Sequence, residues 1–278
     1  MLKLLRCAWL CLTLAFFAAW PAIGPAHAKD GEVEVDLELV LAVDVSYSMD
    51  PEEQRLQREG YVQALLSPQF LKAVASGPYG KIAVAYMQWA SDTDQDVLLP
   101  WTVIDGAESA RAVADRLSDT PYRRARRTSI SGAIDEAMRM FQNNGFHGLR
   151  RVIDVSGDGT NNAGRPVTLA RDDAVRAGVI INGLPLLLRP SSWGFSDIAN
   201  LDEYYEDCVI GGPGAFSIPI RNRDQFLEAT RNKLVQEVAW RSPVRIEVPV
   251  GDFIRVQARA PRVDCMVGES LWRDRWGN

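Results

Sequence analysis

The sequence predicts an α/β fold: a doubly wound, mostly parallel sheet with one antiparallel edge strand, helices on both faces and a C-terminal extension. Three observations carry this. The apolar run Leu39-Val40-Leu41-Ala42-Val43 passes directly into a polar loop and a helix start, which suits a strand buried on both faces of a parallel sheet. Strand-like and helix-like segments then alternate along the chain, and such alternation means parallel strands covered by helices. Finally, Lys81 to Trp89 and Asp96 to Thr102 read as strands on either side of the turn Ser91-Asp92-Thr93-Asp94, a hairpin that gives the sheet its antiparallel edge.

Taken in order, the first strand is followed by Asp50, Pro51 and Glu53. These read as N-cap, first-turn proline and capping-box acid of a helix reaching about Leu66. Ser67-Pro68 restarts the helix, with Ser67 as a new cap. Beyond the hairpin comes a helix from Glu108 to Leu117. Another opens after Thr128, where Ile130, Ala133, Ile134, Ala137, Met138 and Phe141 recur at helical spacing. Thr128 is therefore a loop or cap residue. Arg151 to Ser156 reads as a strand, and Gly157-Asp158-Gly159-Thr160-Asn161-Asn162 as the loop at its carboxyl end. A helix near Val167 to Arg176 and a strand at Val179-Ile180-Ile181 follow. Residues 186–216 are less regular, with Arg189-Pro190-Ser191-Ser192-Trp193, an acidic stretch from Asp202 to Asp207 and Gly211-Gly212-Pro213-Gly214. They read as an elaboration beside the carboxyl edge of the sheet, where the first strand ends. No Gly-Lys-Ser/Thr follows those glycines, so a turn anchored by Cys208 is favoured over a phosphate cradle. Ser217-Ile218-Pro219-Ile220 resembles the last strand, Arg223 to Trp240 a closing helix, and Val244 to Val248 alternates like a strand. The division expected is a leader over residues 1–28, the α/β domain over 29–239 and an extension over 240–278.

Residues 1–28 have a basic start at Lys3 and Arg6, an apolar centre from Leu10 to Phe17, and Ala26-His27-Ala28 before Lys29. This pattern reads as a secretory signal peptide, with an uncleaved anchor as the minor alternative because the apolar centre is short for a membrane span. The expected location is periplasmic or secreted. The formal charge of −5 becomes more negative once Lys3 and Arg6 leave, which argues against a general nucleic-acid binder. No later apolar run is long enough to span a bilayer. Cys7 and Cys11 leave with the leader, so Cys208 and Cys265 form a natural pair. In an oxidising compartment a disulfide is expected there, stabilising by roughly 4 kcal/mol in the chain-entropy model, with two unrelated buried thiols as the alternative. His147 is then the only histidine, so a zinc site of the His/Cys kind cannot be assembled.

The chemistry concentrates where the first strand ends. Alternate residues of an extended loop project to one side, so Asp44, Ser46 and Ser48 can present three hard oxygens to one small cation. A plain helix-capping role for these residues is the competing reading. Asp158 supplies a second carboxylate at the same carboxyl edge, where open α/β sheets bind ligands.

Asp-x-Ser-x-Ser, a distant Thr opening a helix, and an Asp-Gly after a strand together resemble the metal-ion-dependent adhesion site of von Willebrand factor type A domains. The resemblance covers roughly residues 35 to 239. It implies that Asp44, Ser46, Ser48, Thr128 and Asp158 hold the metal. One departure is that the usual hydroxyl-Asp-Gly becomes Ser156-Gly157-Asp158 here. The whole chain also resembles a family of exported bacterial proteins built on this domain, domain of unknown function 1194.

Two carboxylates roughly neutralise a divalent ion and hydroxyls add no charge, so an octahedral ion still takes water or an outside ligand. Magnesium is the expected ion, with manganese or calcium as alternatives. A carboxylate from a partner protein is the natural final ligand, as the resemblance implies. Arg123, Arg124, Arg126 and Arg127 offer a basic rim for such a partner, against the commoner reading of a solvated or internally paired charge run. The expected function is a non-enzymatic, metal-dependent protein-binding module. A metal-dependent hydrolase of phosphate or peptide substrates is the competitor, and a structural domain with an empty site a weaker third reading. Hydrolysis needs a placed base, and His147 enters its strand at the amino edge. Asp154, polar within an apolar strand, is either paired in the core or turned to a partner.

Overall fold

The computed structural model describes residues 31–188, 198–239 and 261–276. The leader, the Arg189 to Trp193 segment and the Val244 to Val248 strand lie outside them. A five-stranded sheet is built from β2 (Glu38–Asp44), β3 (Ile82–Trp89), β4 (Gln95–Ile104), β6 (Arg151–Gly157) and β7 (Val179–Pro185), in the order β4-β3-β2-β6-β7. Only β3 and β4 pair antiparallel, which makes β4 the antiparallel edge. β2 is therefore central and buried throughout, the reason its run is apolar on both faces.

Side chains of β2 alternate between two cores. Leu39, Leu41 and Val43 face α1 (Pro51–Leu65), α2 (Pro68–Ala75), α3 (Ala107–Ser118) and α7 (Phe226–Val238). Val40 and Ala42 face α4 (Ile130–Met140) and α5 (Val167–Arg176). Helices thus cover both faces of the sheet. Asp50 accepts from the Glu53 amide while Glu53 reaches back to the Asp50 amide, a complete capping box, and Ser67 caps α2 as expected.

Several segments depart from the sequence reading. Phe146–Gly148 is a short strand, β5, that pairs in parallel with β1 (Val33–Val35) to form a second small sheet. Gly157 belongs to β6 rather than to the loop, opposite Pro185. The cap of α4 is Ser129, whose hydroxyl accepts from the Gly132 amide; Thr128 stands one residue outside. The acidic stretch folds into α6 (Leu201–Tyr204) and a π-helical turn, Tyr205–Val209. Residues 217–220 do not extend the sheet as a strand. They touch β7 and the residue after it through isolated bridges at Gly183↔Ser217 and Leu186↔Ile220; the Ile218 and Ile220 amides donate to the Gly183 and Pro185 carbonyls, but Pro185 has no amide to return to Ile218. A disulfide joins Cys208 to Cys265, whose Cα atoms are 5.5 Å apart, and beyond it the extension forms α8 (Val267–Trp276). Among the described residues no helix is long and apolar enough to cross a membrane.

Candidate metal centre

Three loops meet at the carboxyl edge of the sheet. Asp44 ends β2 and is fully buried, its Oδ1 accepting from the Ser46 amide at 2.7 Å. The Ser46 and Ser48 hydroxyls lie 2.7 Å apart, and Ser48 Oγ donates to Asp158 Oδ1 at 2.6 Å. Four of the five expected residues are therefore linked side by side. Thr128 reaches the same edge through its backbone. The Ala125 amide donates to the Val45 carbonyl at 2.9 Å, setting the 123–128 segment along the Asp44 loop. Asn162 then clamps Thr128: its Oδ1 accepts from the Thr128 amide at 2.9 Å and its amide donates to the Thr128 carbonyl at 2.8 Å.

The donor set fits a small divalent ion. Asp44 Oδ2 is buried and has no hydrogen-bond partner. Burial pushes the Asp44 carboxyl up to about 7, against the lowering pull of Ser46 and of the Asp158 backbone. A buried carboxylate oxygen without donor or counter-charge is costly, and a cation there removes the cost. Among the described residues no group of three or more His, Cys, Asp or Glu side chains is placed for a metal, so an ion at this edge would need hydroxyl oxygens beside the two carboxylates.

Gly157 explains the departure from hydroxyl-Asp-Gly. A Cβ at this position would stand 2.8 Å from Asp44 Oδ2 and 3.1 Å from the Tyr205 hydroxyl. Backbone alone fits against the carboxylate. Gly157→Ala is expected to displace Asp44, costing about 1–3 kcal/mol of stability and roughly tenfold or more in manganese affinity. Thermal unfolding and calorimetric titration check the two effects separately.

The residues that hold this edge together were not singled out from the sequence. Asn161 and Asn162 are buried, and Tyr204 and Tyr205 are fully buried although they sit in an acidic stretch. The Tyr205 hydroxyl lacks a partner, and burial, then the charges of Asp44 and Asp158, hold its pKa well above the ordinary value. The arginine cluster divides. Arg123 turns inward to Asp94 at 2.7 Å and to Gln88, so it is internally paired. Arg124, Arg126 and Arg127 are exposed; Arg124 lies over the Tyr47 ring and Arg127 over Trp272. His147 sits in β5 beside Glu38, at the opposite end of β2 from Asp44. Asp154 is paired in the core with Lys233.

Several solved structures share this fold. Proximal thread matrix protein 1 from the mussel byssus superposes with a TM-score of 0.55 at 14% identity, covering 74% of this chain and 49% of that one. A further structure of the mussel protein, described as having a zinc-occupied MIDAS motif, gives 0.52 at 12% identity, covering 73% of this chain and 46% of that one. A von Willebrand factor type A protein from Catenulispora acidiphila also gives 0.52 at 12% identity, over 73% of this chain and 43% of that one. The chain spans less than half the length of each. No curated protein sequence matches it. Residues 34–242 match the family described as Protein of unknown function (DUF1194), and the chain belongs to that family, on a von Willebrand factor type A fold.

Proposed function

We propose that the protein is an exported binding module that holds a divalent cation at Asp44, Ser46, Ser48, Thr128 and Asp158 and uses it to grip a carboxylate of a partner protein. The observation that carries this is the unpartnered, buried Asp44 Oδ2 beside a linked set of oxygens, the Ser46 and Ser48 hydroxyls of its own loop and the Asp158 carboxylate of the loop after β6. The zinc-occupied MIDAS motif of the mussel protein supports a divalent ion on this fold. For an all-oxygen donor set the expected ion is magnesium, with manganese or calcium as substitutes.

The bound ion supplies an electrophilic point for one carboxylate oxygen. This chain's residues do the rest. Asp44 and Asp158 would balance the ion's charge, Ser46 and Ser48 would offer neutral oxygens, and exposed Arg124, Arg126 and Arg127 favour an acidic approach. His147 is too far along the sheet to act as a base at this edge. The disulfide and the leader-like start support export to an oxidising compartment.

The test is capture of partners from an extract of exported proteins by the immobilised protein, with magnesium or with chelator. A partner retained only with magnesium, and lost when its contacting acid is changed to the amide, is the expected result. Retention that survives chelator places the contact elsewhere on the surface. Metal-dependent turnover of phosphate esters or peptides by the purified protein would favour the hydrolase reading instead.

A further inference from the structure

The disulfide closes around one residue of the metal-bearing loop. Asn161 lies three residues after Asp158 and is fully buried. Its amide donates to the Tyr204 hydroxyl at 3.1 Å, and its Nδ2 donates to Glu269 Oε1 at 2.7 Å. Tyr204 stands four residues before Cys208, and Glu269 four residues after Cys265. The bridge therefore ties together the two arms that hold Asn161 from either side. On its remaining side Asn161 Oδ1 accepts from the Ser131 amide at 3.0 Å, an otherwise orphan donor in the first turn of α4.

The C-terminal arm makes further contacts along the same loop. Gly268 packs so closely that a Cβ there would stand 2.0 Å from the Asn161 carbonyl oxygen and 2.5 Å from Thr160 Oγ1. Trp272 lies under the Arg127 guanidinium, 3.8 Å from its carbon to the ring centroid, and Arg127 also donates to the Asn162 carbonyl at 3.0 Å. Arg262 anchors the start of the arm on Glu206 and Asp207, beside Cys208. One arm thus touches the loop that carries Asp158 and the residue that precedes Thr128.

We propose that α8 and the Tyr204–Cys208 segment form a disulfide-closed clamp on Asn161 that positions Asp158 and Thr128 for the ion, so that metal affinity depends on the Cys208–Cys265 bridge. This rests on the metal reading above. Asn161, Tyr204 and Glu269 act as positioning residues, one step removed from the ion. Outer partners of this kind ordinarily change metal affinity by about 10–100-fold when removed. The consequence is a site completed only where the two thiols can oxidise.

The experiment measures manganese affinity by calorimetry in the oxidised full chain, in the Cys208→Ser/Cys265→Ser variant and in Glu269→Ala with the bridge intact. Backbone amide exchange across residues 157–163 is followed in the same metal-free samples. Expected is a fall of about tenfold or more in both variants, with faster exchange at Asn161 and Asn162 and little change in β2 or β3. Glu269→Ala keeps the test decisive if the cysteine variant unfolds. Unchanged affinity and unchanged loop exchange in Glu269→Ala overturn the clamp. If the oxidised wild type binds no manganese, the metal reading itself fails, while the exchange arm still decides whether the clamp orders the loop.

Discussion

Asp44→Asn is expected to abolish divalent-ion binding while leaving the metal-free fold as stable as before, or more so. The amide keeps the shape of the carboxylate, and its oxygen still accepts the Ser46 amide that Asp44 Oδ1 accepts at 2.7 Å. What disappears is a negative charge in a fully buried place with an unpartnered oxygen. Burying such a charge costs several kcal/mol without a counter-ion, so its loss relieves the metal-free protein. With the ion the balance reverses, because the site then keeps only the Asp158 carboxylate. Titration with magnesium and manganese is the measurement, beside thermal unfolding with and without metal. Wild type should gain melting temperature with metal, since a ligand of the native state stabilises it by mass action, and the variant should not. Equal affinities in the two proteins would mean that the ion is held elsewhere. Thr128→Ala should weaken binding less, because a neutral hydroxyl carries less of the attraction.

Much of the frame was legible because its signals are local. The Asp50 to Glu53 capping box, the Ser67 cap and the apolar β2 run each state their structure within a few residues. The strand signal of β7 covers only Val179-Ile180-Ile181, yet the strand continues through Asn182-Gly183-Leu184-Pro185. Asn, Gly and Pro are poor strand formers, and tertiary contacts decide instead: Asn182 bonds Glu237 and the Phe216 amide, and Gly183 makes room for the Tyr205 ring. α8 carries little local signal for a similar reason. Among its residues with described burial only Gly268 is buried, and its hold on the domain comes from Glu269, Trp272 and the preceding bridge rather than from an apolar stripe. At the site, the oxygen donors follow from the strand ends that carry them. The roles of Gly157, Asn161 and Tyr205 do not, since each depends on segments far away in sequence.

Lys233→Met is expected to destabilise the protein by about 3–5 kcal/mol, the cost of leaving buried carboxylates without their cation. Lys233 Nζ bonds both Asp154 on β6 and Glu237 one turn further along α7, and all three side chains are at most 1% exposed. Tyr61 adds a hydrogen bond to Asp154 at 3.2 Å and Asn182 one to Glu237 at 3.2 Å, so the network ties β6 and β7 to α1 and α7. Two carboxylates face one ammonium. Burial, then the Asp154 charge, accordingly push Glu237 up to about 7, while Lys233 and Asn182 pull it down. An acid whose native pKa lies above its ordinary 4.5 gives its full stability below that value and loses it as pH rises through 7. Glu237→Gln should therefore flatten the fall in melting temperature between pH 5 and 8, and Lys233→Met should steepen it. Denaturant titrations across that range check both. Replacing Lys233, Asp154 and Glu237 together by apolar residues of similar volume should recover most of the loss, because a buried ion network contributes little beyond an apolar core once no charge is stranded. If Lys233→Met alone costs under about 1 kcal/mol, the network behaves as neutral hydrogen bonds rather than as ion pairs.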